Sequence, residues 1–122
     1  MGSGIGIAAR NQDPPASIWG ISMDHAPVMV RSLEAGEVLT LPEEDTLADG
    51  LKGGLGITNQ YTFRLCQQLV DHTALVSEEE IGLAVAFLYK EHHLVVEGSG
   101  AVGVAALLAL SDGSAPAGCA DV

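Results

Sequence analysis

The sequence predicts an α/β fold, and three observations support that prediction. Short β-like runs occur at residues 17–23, 73–76 and 94–96, and segments with helical periodicity lie between them. Hydrophobic residues make up 48% of the 122 residues, and charged residues make up only 17%. Because aromatic residues contribute 4%, aliphatic side chains must fill the interior. The length suits one domain, since independent domains typically contain about 100–150 residues.

The first three predicted elements are a helix, a strand and a second helix. Small residues over 2–10 can form the first helix, which ends before a segment that contains two prolines. Residues 17–23 form an apolar run rich in β-formers. Residues 26–35 predict the second helix, with Pro27 in its first turn and Gly36 just beyond its end.

The segment over residues 37–58 shows no sustained periodicity and contains repeated glycines. A connector of this length in a compact domain usually has a function or carries short elements of its own. Its stretch ADGLKGGLG, at residues 48–56, is therefore a candidate functional site.

A capping box marks the start of one helix in the second half of the chain. In the sequence Ser77-Glu78-Glu79-Glu80, the Ser77 hydroxyl can accept a hydrogen bond from the amide of Glu80. The Glu80 carboxylate can accept one from the amide of Ser77. Apolar residues follow at helical spacing, which predicts a helix from Glu78 to about His92.

The remaining elements are predicted from shorter patterns. Asn59 can cap the helix that follows it, and residues 73–76 form a short β-like run. Residues 94–96 are typical of a buried strand, and residues 99–110 predict a helix that is apolar on every side. We expect residues 111–122 to form a disordered tail, because they are mainly Gly, Ala, Pro, Ser and Asp.

The charge pattern argues against nucleic acid and membrane partners. There are 16 Asp and Glu residues against 5 Lys and Arg residues, for a formal net charge of -11, so no basic patch can form for a phosphate backbone. The acidic residues are spread along the chain, as on solvated loops and helix ends. The apolar run over residues 94–110 is interrupted by a glutamate and is shorter than the roughly 20 apolar residues of a membrane span.

The cysteines and histidines predict neither a disulfide framework nor a metal site. Cys66 and Cys119 have no metal-ligand spacing and are too few for a disulfide scaffold. His92 and His93 are adjacent and point in different directions on a helix, so the histidines do not form a ligand set. The beginning of the chain lacks the pattern of a signal peptide. These features together predict a protein of the reducing cytoplasm.

Three glycines form the sharpest local motif. Gly98, Gly100 and Gly103 match the G-x-G-x-x-G pattern between an apolar run and a helix, where a dinucleotide site would require it. That pattern also needs a later strand that ends in an acidic residue, and here a tail of small residues follows instead. The alternative is that these glycines let an apolar helix pack closely against its neighbours.

Glu97 is a candidate site residue because it lies between Val96 and Gly98, next to the apolar helix. A carboxylate in that environment is expected to be partly buried, so it must find a partner or become neutral. Such carboxylates are common at functional sites. A salt bridge to Lys90 or Arg64 would explain the same residue equally well.

Four segments occur in order along residues 4–110: GISMDHAPVMVRSLEAG, TLADGLKGGLGITNQYTF, LVDHTALVSEEEI and HHLVVEGSGAVGVAALLA. Their order and spacing together resemble the serine/threonine dehydratase family of pyridoxal-phosphate-dependent enzymes. Ser22 and Met23 stand where many relatives have Glu-Pro. With the segment LGITNQYTF, they make the chain most similar to the branch named for hydroxyectoine utilisation.

The resemblance implies fold type II, in which a twisted, largely parallel sheet is flanked by helices and the cofactor lies between a large and a small domain. Residues 1–110 would form the carboxy-terminal portion of the large domain. By resemblance, the backbone of Gly50 lies beside the pyridoxal phosphate ring, and Glu97 is the catalytic carboxylate near it. Gly53 and Gly54 are further cofactor-binding positions. A glycine-rich loop before the first helix holds the phosphate in this family.

The resemblance also implies a reaction and its limits in this chain. The family's β-elimination converts a hydroxy amino acid, serine or threonine, to a 2-oxo acid and ammonia. Lys52 and Lys90 lie outside the motif of the lysine that binds the cofactor covalently, so we expect the chain alone to be inactive. Ser22 replaces a glutamate that binds a divalent ion in some relatives, so no metal is expected.

The implied partner of the intact enzyme is a small hydroxy amino acid, and a homo-oligomer is the implied assembly. Two alternatives remain at this point. The chain could be a non-catalytic or regulatory relative that keeps only the packing, or a dinucleotide-binding module that uses Gly98, Gly100 and Gly103.

Overall fold

A computed structural model describes residues 2–59, 61–111, 113 and 117–121, the last range by its backbone alone. The elements follow in the order α1 (Gly2–Arg10), β1 (Trp19–Met23), α2 (Val28–Ala35), a short 3₁₀ helix (Asp49–Leu51), α3 (Thr62–Leu69), β2 (His72–Val76), α4 (Glu78–His92), α5 (Gly98–Ser111) and β3 (Ala117–Asp121). The predicted α/β class is confirmed.

The sheet of the described residues has the strand order β1-β2-β3. Strands β1 and β2 are parallel, with Trp19 opposite His72 and Met23 opposite Val76. A parallel pair needs a long crossover, and here α2, the 3₁₀ helix and α3 form it. Strand β3 runs antiparallel along the other edge of β2. The result is a parallel pair with an antiparallel edge, flanked by helices.

One face of the sheet is filled by α4 and α5. Side chains alternate between the faces of a strand, so Met23 and Val76 point to the same side, where they join a core with Ile81 and Ala105. Small residues on α5 let it approach α4 and both strands closely. The core is aliphatic, as the composition predicts.

Helix α4 begins with the predicted capping box. The amide of Glu80 donates to Ser77 Oγ over 3.3 Å, and the amide of Ser77 donates to the Glu80 carboxylate over 2.7 Å. Two amides that the first turn would leave unpaired are thereby satisfied. The helix ends at His92, and the next residue, His93, adopts a left-handed conformation with φ 56°. The predicted helix from Glu78 to His92 is confirmed.

Helix α5 has no polar face, so part of its apolar surface lies in solvent. Leu107 and Leu110 are both exposed on it. None of the helices in the described residues combines the length and hydrophobicity needed to cross a bilayer.

The other face of the sheet is covered by α1, α2 and α3. Gly6 on α1 lies against Leu69 on α3, so closely that an added Cβ would be 3.1 Å from Leu69 Cβ. At the start of the strands, the Asp71 carboxylate accepts a hydrogen bond from the Ile18 amide over 2.8 Å and forms an ion pair with Arg10. The Ile18 amide, and then Arg10, lower the pKa of Asp71 below its ordinary value. This carboxylate ties α1 to both parallel strands.

The predicted helix boundaries shift by a few residues. Helix α2 begins at Val28, so Pro27 lies just before the first turn and not within it as predicted. The helix ends at Ala35, as predicted, and Gly36 follows in the left-handed conformation. Helix α3 begins at Thr62, while the Asn59 side chain accepts from the amide of Phe63 over 3.1 Å. Asn59 therefore caps the first turn from a position just outside it.

Residues 94–96 do not form the predicted strand. They are an irregular connection between α4 and α5, and Val95 is 90% exposed. The reason is local: the left-handed turn at His93 ends α4 and Gly98 starts α5, which leaves too few residues to reach a sheet edge.

The tail also differs from the prediction of disorder, because residues 117–121 form β3. Residues 112, 114–116 and 122 lie outside the described residues. The edge of β2 offers unpaired amides and carbonyls, and backbone pairing to such an edge needs no particular side chains. A segment of small residues can therefore pair there.

Candidate functional site

A cavity of about 430 Å³ lies between the sheet and the helices α1, α2 and α3. Its floor includes Gly20, Ser22 and Thr73, which point away from the core under α4 and α5. These side chains are small or polar, so they leave space instead of filling it. The cavity is also bordered by residues 50–55, the central part of the glycine-rich connector.

The three glycines predicted as binding positions meet at this cavity. Gly50, Gly53 and Gly54 all lie along its wall. Gly53 has φ 98°, a conformation that favours glycine because a side chain would be strained there. The glycines thus present bare backbone to the cavity.

The amino-terminal turn of α1 closes one end of the cavity through Gly2 and Ser3. The first amides of a helix have no partner within the helix, and the helix dipole places partial positive charge there. Such a turn suits a phosphate or carboxylate group. The composition of this end therefore favours an anionic ligand.

The glycine loop, residues 48–56, is held on its amino-terminal side by hydrogen bonds to two helix starts. At its base, the Leu47 amide donates to the Glu78 carboxylate over 2.7 Å. Further along, the Gly50 amide donates to Ser99 Oγ over 2.7 Å. Ala48, between these contacts, is fully buried. The loop is therefore fixed where it meets the core, and its glycines expose backbone where it meets the cavity.

Lys52 lines the cavity, but its ammonium group is engaged by Asp45 at 2.8 Å. The hydrogen bond to Asp45 raises the pKa of Lys52, and the same bond lowers the pKa of Asp45. A protonated amine is not a nucleophile. The Lys52 amine at the cavity is therefore a charged group paired with Asp45.

Glu97 does not have the predicted environment. Its side chain is exposed, and Glu97 is not among the residues that border the cavity. In the part of the chain that the structure describes, it pairs with neither Lys90 nor Arg64. The prediction of burial is wrong because the connection that carries Glu97 lies outside the sheet. Ser99, two residues further on, is the residue of this segment whose side chain bonds to the glycine loop.

Gly98 and Gly100 of the α5 motif serve close packing, and the dinucleotide alternative is not supported. No strand leads into α5 in the described residues, and a Cβ at Gly98 would lie 2.0 Å from the carbonyl oxygen of Leu47. A Cβ at Gly100 would lie 2.8 Å from the Val96 side chain. The Leu47 carbonyl lies against Gly98 at the start of α5, where the pyrophosphate of a dinucleotide would bind.

Several site residues were missed by sequence reasoning. Trp19 and Cys66 border the cavity, and burial raises the pKa of the Cys66 thiol. Ser99 and Glu78 hold the loop, although Glu78 was recognised only as part of a capping box. Among the described residues, no group of three or more His, Cys, Asp and Glu is arranged to hold a metal ion.

The sequence of residues 1–119 matches the family described as pyridoxal-phosphate dependent enzyme. The chain belongs to this family. It is 40% identical over 108 residues to a putative threonine dehydratase of Sinorhizobium fredii, across 88% of this chain and 32% of that protein. The chain therefore spans about a third of the length of this relative.

Two solved structures resemble the fold of this chain. The threonine deaminase from T.th. superposes with a TM-score of 0.78 at 32% identity, across 91% of this chain and 40% of that one. Maize serine racemase superposes with a TM-score of 0.76 at 34% identity, across 84% and 30% of the two chains. The likeness to family members with two different named activities confirms the type II fold and the pyridoxal-phosphate-dependent family.

The residues present fit part of the family's cofactor. The cavity offers a helix start for the phosphate and bare glycine backbone for the face of a flat ring. The lysine among its lining residues is held by Asp45. The cavity thus combines features that suit the phosphate with features that suit the ring.

Proposed function

We propose that this chain forms a cofactor-binding part of a pyridoxal-phosphate-dependent ammonia-lyase that acts on a hydroxy amino acid. One observation carries the proposal: the start of α1 and the loop with Gly50, Gly53 and Gly54 border the same cavity. A helix start or a glycine-containing loop alone is common in proteins of many functions. Together they offer one site for an anion and another for a flat ring within a single cavity.

Each group of residues has a proposed role. The amides at Gly2 and Ser3 bind the phosphate, and the backbone of Gly50 supports the ring. Gly53 and Gly54 keep side chains out of the space that the ring needs. When bound, pyridoxal phosphate supplies an electron sink that stabilises negative charge on the amino acid. The chain's own contribution is to bind and orient it.

The role of Glu97 near the substrate remains part of the proposal. Its support is position: Gly98 and Ser99, which follow it, both lie against the glycine loop. An exposed carboxylate at that edge can accept a proton from a bound amino acid once the rest of the enzyme encloses it.

The finer assignments belong to the same proposal. The matches include a dehydratase and a racemase, and we assign the chain to the β-elimination of serine or threonine, giving a 2-oxo acid and ammonia. Ser22 and Met23, with the segment LGITNQYTF, support the hydroxyectoine-utilisation branch. A cytoplasmic location and a homo-oligomer are proposed from the sequence alone.

Cofactor binding can be measured through a single fluorophore. Trp19 is the only tryptophan of the sequence, and it borders the cavity. We expect pyridoxal phosphate to quench Trp19 fluorescence saturably in the full chain, and inorganic phosphate to compete. Pyridoxal, which lacks the phosphate, should bind at least about tenfold more weakly because the amides at the start of α1 have no anion to bind.

Two glycine variants make a matched pair for this titration. Gly53 and Gly56 both have positive φ values, 98° and 77°, but only Gly53 borders the cavity. Gly53→Ala should weaken binding more than Gly56→Ala. Equal effects of the two variants, or quenching that does not saturate, would overturn the proposed site.

The absence of covalent attachment is tested separately. After incubation with pyridoxal phosphate and borohydride reduction, mass analysis should show no single stoichiometric adduct, because Lys52 is engaged by Asp45 and Lys90 is outside the cavity lining. A stoichiometric adduct on either lysine, with ammonia released from serine or threonine, would show that the chain alone is active.

A further inference from the structure

We propose that Ser99 is a positioning residue that holds the backbone of Gly50 at the cofactor cavity. The inference rests on the proposed function, because it concerns the same cavity. The Gly50 amide donates to Ser99 Oγ over 2.7 Å. Gly50 borders the cavity, whereas Ser99 is not among the bordering residues. Ser99 therefore reaches the cavity through its contact with the loop.

The loop and the first turn of α5 are in direct backbone contact. A Cβ added at Gly98 would lie 2.0 Å from the Leu47 carbonyl oxygen and 3.1 Å from the Ala48 nitrogen. A Cβ added at Gly50 would lie 2.8 Å from Ser99 Oγ. No side chain fits between the two segments, so the hydroxyl of Ser99 meets the loop at a fixed distance.

A second contact fixes the base of the same loop. The Glu78 carboxylate accepts from the Leu47 amide over 2.7 Å and from the Thr46 hydroxyl. Glu78 begins α4, just as Ser99 lies in the first turn of α5, and the two helices share one core. Hydrogen bonds thus connect the loop to the helices of the buried core. Of these contacts, the one made by Ser99 is nearest to the cavity.

The residues after Gly50 explain why the hydrogen bond between Gly50 and Ser99 affects the order of the loop. From Lys52 to Asn59 the chain forms neither helix nor strand and contains Gly53, Gly54 and Gly56. Glycine backbone loses more conformational entropy on ordering than any other residue. Without the hydroxyl of Ser99, the loop would lose this conformational entropy when the cofactor binds, and the affinity for the cofactor would be lower. Loss of one hydrogen bond of this kind corresponds to about a twofold to tenfold change in affinity.

Three substitutions separate the hydroxyl from the size of the side chain. Ser99→Ala removes the acceptor, Ser99→Cys keeps the volume with a much weaker acceptor, and Ser99→Thr keeps the hydroxyl. The control is Ser111→Ala at the other end of α5, where the hydroxyl donates to the Leu108 carbonyl oxygen over 2.7 Å and is far along the helix from the loop. If Ser99→Ala does not fold, Ser99→Cys carries the test.

Two readouts are measured on the full chain: the affinity for pyridoxal phosphate by Trp19 fluorescence, and the exchange rate of the Gly50 amide by NMR without cofactor. We expect Ser99→Ala and Ser99→Cys to bind about threefold to tenfold more weakly and to exchange Gly50 faster. Ser99→Thr and Ser111→Ala should match the unmodified chain within about twofold by the same measure.

The outcomes distinguish this inference from the proposed function. If the unmodified chain does not bind pyridoxal phosphate, the proposed function fails and this inference fails with it. If the unmodified chain binds, but Ser99→Ala and Ser99→Cys change only one of the two readouts or neither, this inference alone is overturned. Faster exchange without weaker binding would mean that Ser99 only stabilises the fold.

Discussion

Strands β1 and β2 have two faces that differ in almost every respect. On one face, Met23 and Val76 are buried under α4 and α5 with aliphatic neighbours on all sides. On the other, Gly20, Ser22 and Thr73 border a cavity of about 430 Å³. Because side chains alternate along a strand, one pair of strands can hold a rigid core and an open site. We infer that stability depends mainly on the first face and binding on the second.

The largest expected effect tests the filled face. Ile81 is 0% exposed in the core, so Ile81→Ala should lower the free energy of unfolding by about 2–5 kcal/mol through lost burial and a residual cavity. Urea denaturation of the full chain measures it. Leu83 on the same helix is 60% exposed, and Leu83→Ala should cost about 0.5 kcal/mol or less. Equal costs would contradict the assignment of Ile81 to the rigid core on the filled face.

Two glycines of α5 test the contact between this helix, which packs in the core, and the glycine loop, which borders the cavity. A Cβ at Gly98 meets the Leu47 carbonyl oxygen, so Gly98→Ala should destabilise the fold by about 1–3 kcal/mol and also weaken pyridoxal phosphate binding. At Gly103 a Cβ meets nothing within 4 Å, so Gly103→Ala should stabilise the helix by about 0.5–1 kcal/mol. Thermal unfolding with and without cofactor distinguishes them. Equal changes in unfolding temperature for Gly98→Ala and Gly103→Ala would contradict the close contact between α5 and the glycine loop.

The smallest expected effect lies at the start of the strands on the open face. The Ile18 amide and Arg10 hold the pKa of Asp71 below its ordinary value, so the carboxylate stabilises the folded chain. That contribution is complete above the ordinary carboxyl pKa and is lost as pH falls through the lowered one. Asp71→Asn should therefore be less stable than the unmodified chain at pH 7, and the difference should shrink below about pH 5.

The matched control for this measurement is Asp24→Asn. Asp24 lies just beyond the opposite end of β1, where its carboxylate is exposed and 3.8 Å from His25. Denaturation curves at several pH values should show a smaller loss for this variant than for Asp71→Asn. A difference between Asp71→Asn and the unmodified chain that grows toward acid pH would reverse the assigned sign.

Elements with local signals could be predicted from the sequence. The capping box at Ser77 and the apolar spacing after it gave α4 its observed limits, because both signals lie within the helix. Strand β3 could not be predicted in this way. Its small residues have low β-propensity, and it forms because the edge of β2 is available. Conversely, residues 94–96 have the composition of a strand but no edge within reach.

In the site, too, features with a local sequence signal could be predicted, and features that depend on distant contacts could not. The resemblance identified Gly50, Gly53 and Gly54, and all three border one cavity. The exposure of Glu97 could not be predicted, since it depends on where the connection after α4 runs. The contact of Ser99 with Gly50 joins residues 49 positions apart in the chain. Hydrogen bonds at such separations are set by the packing of α5 on the core and leave no pattern in the sequence.

The apolar outer side of α5 has a consequence for the purified chain in solution. Leu107 and Leu110 face the solvent there, and such side chains favour self-association. The formal charge of -11 opposes it, because like-charged molecules repel each other. Added salt screens this repulsion, with a Debye length that falls to about 3 Å at 1 M, and acid neutralises the carboxylates that create it. Colloidal behaviour of this chain is therefore governed by ionic strength and pH, with dispersion greatest in dilute neutral buffer.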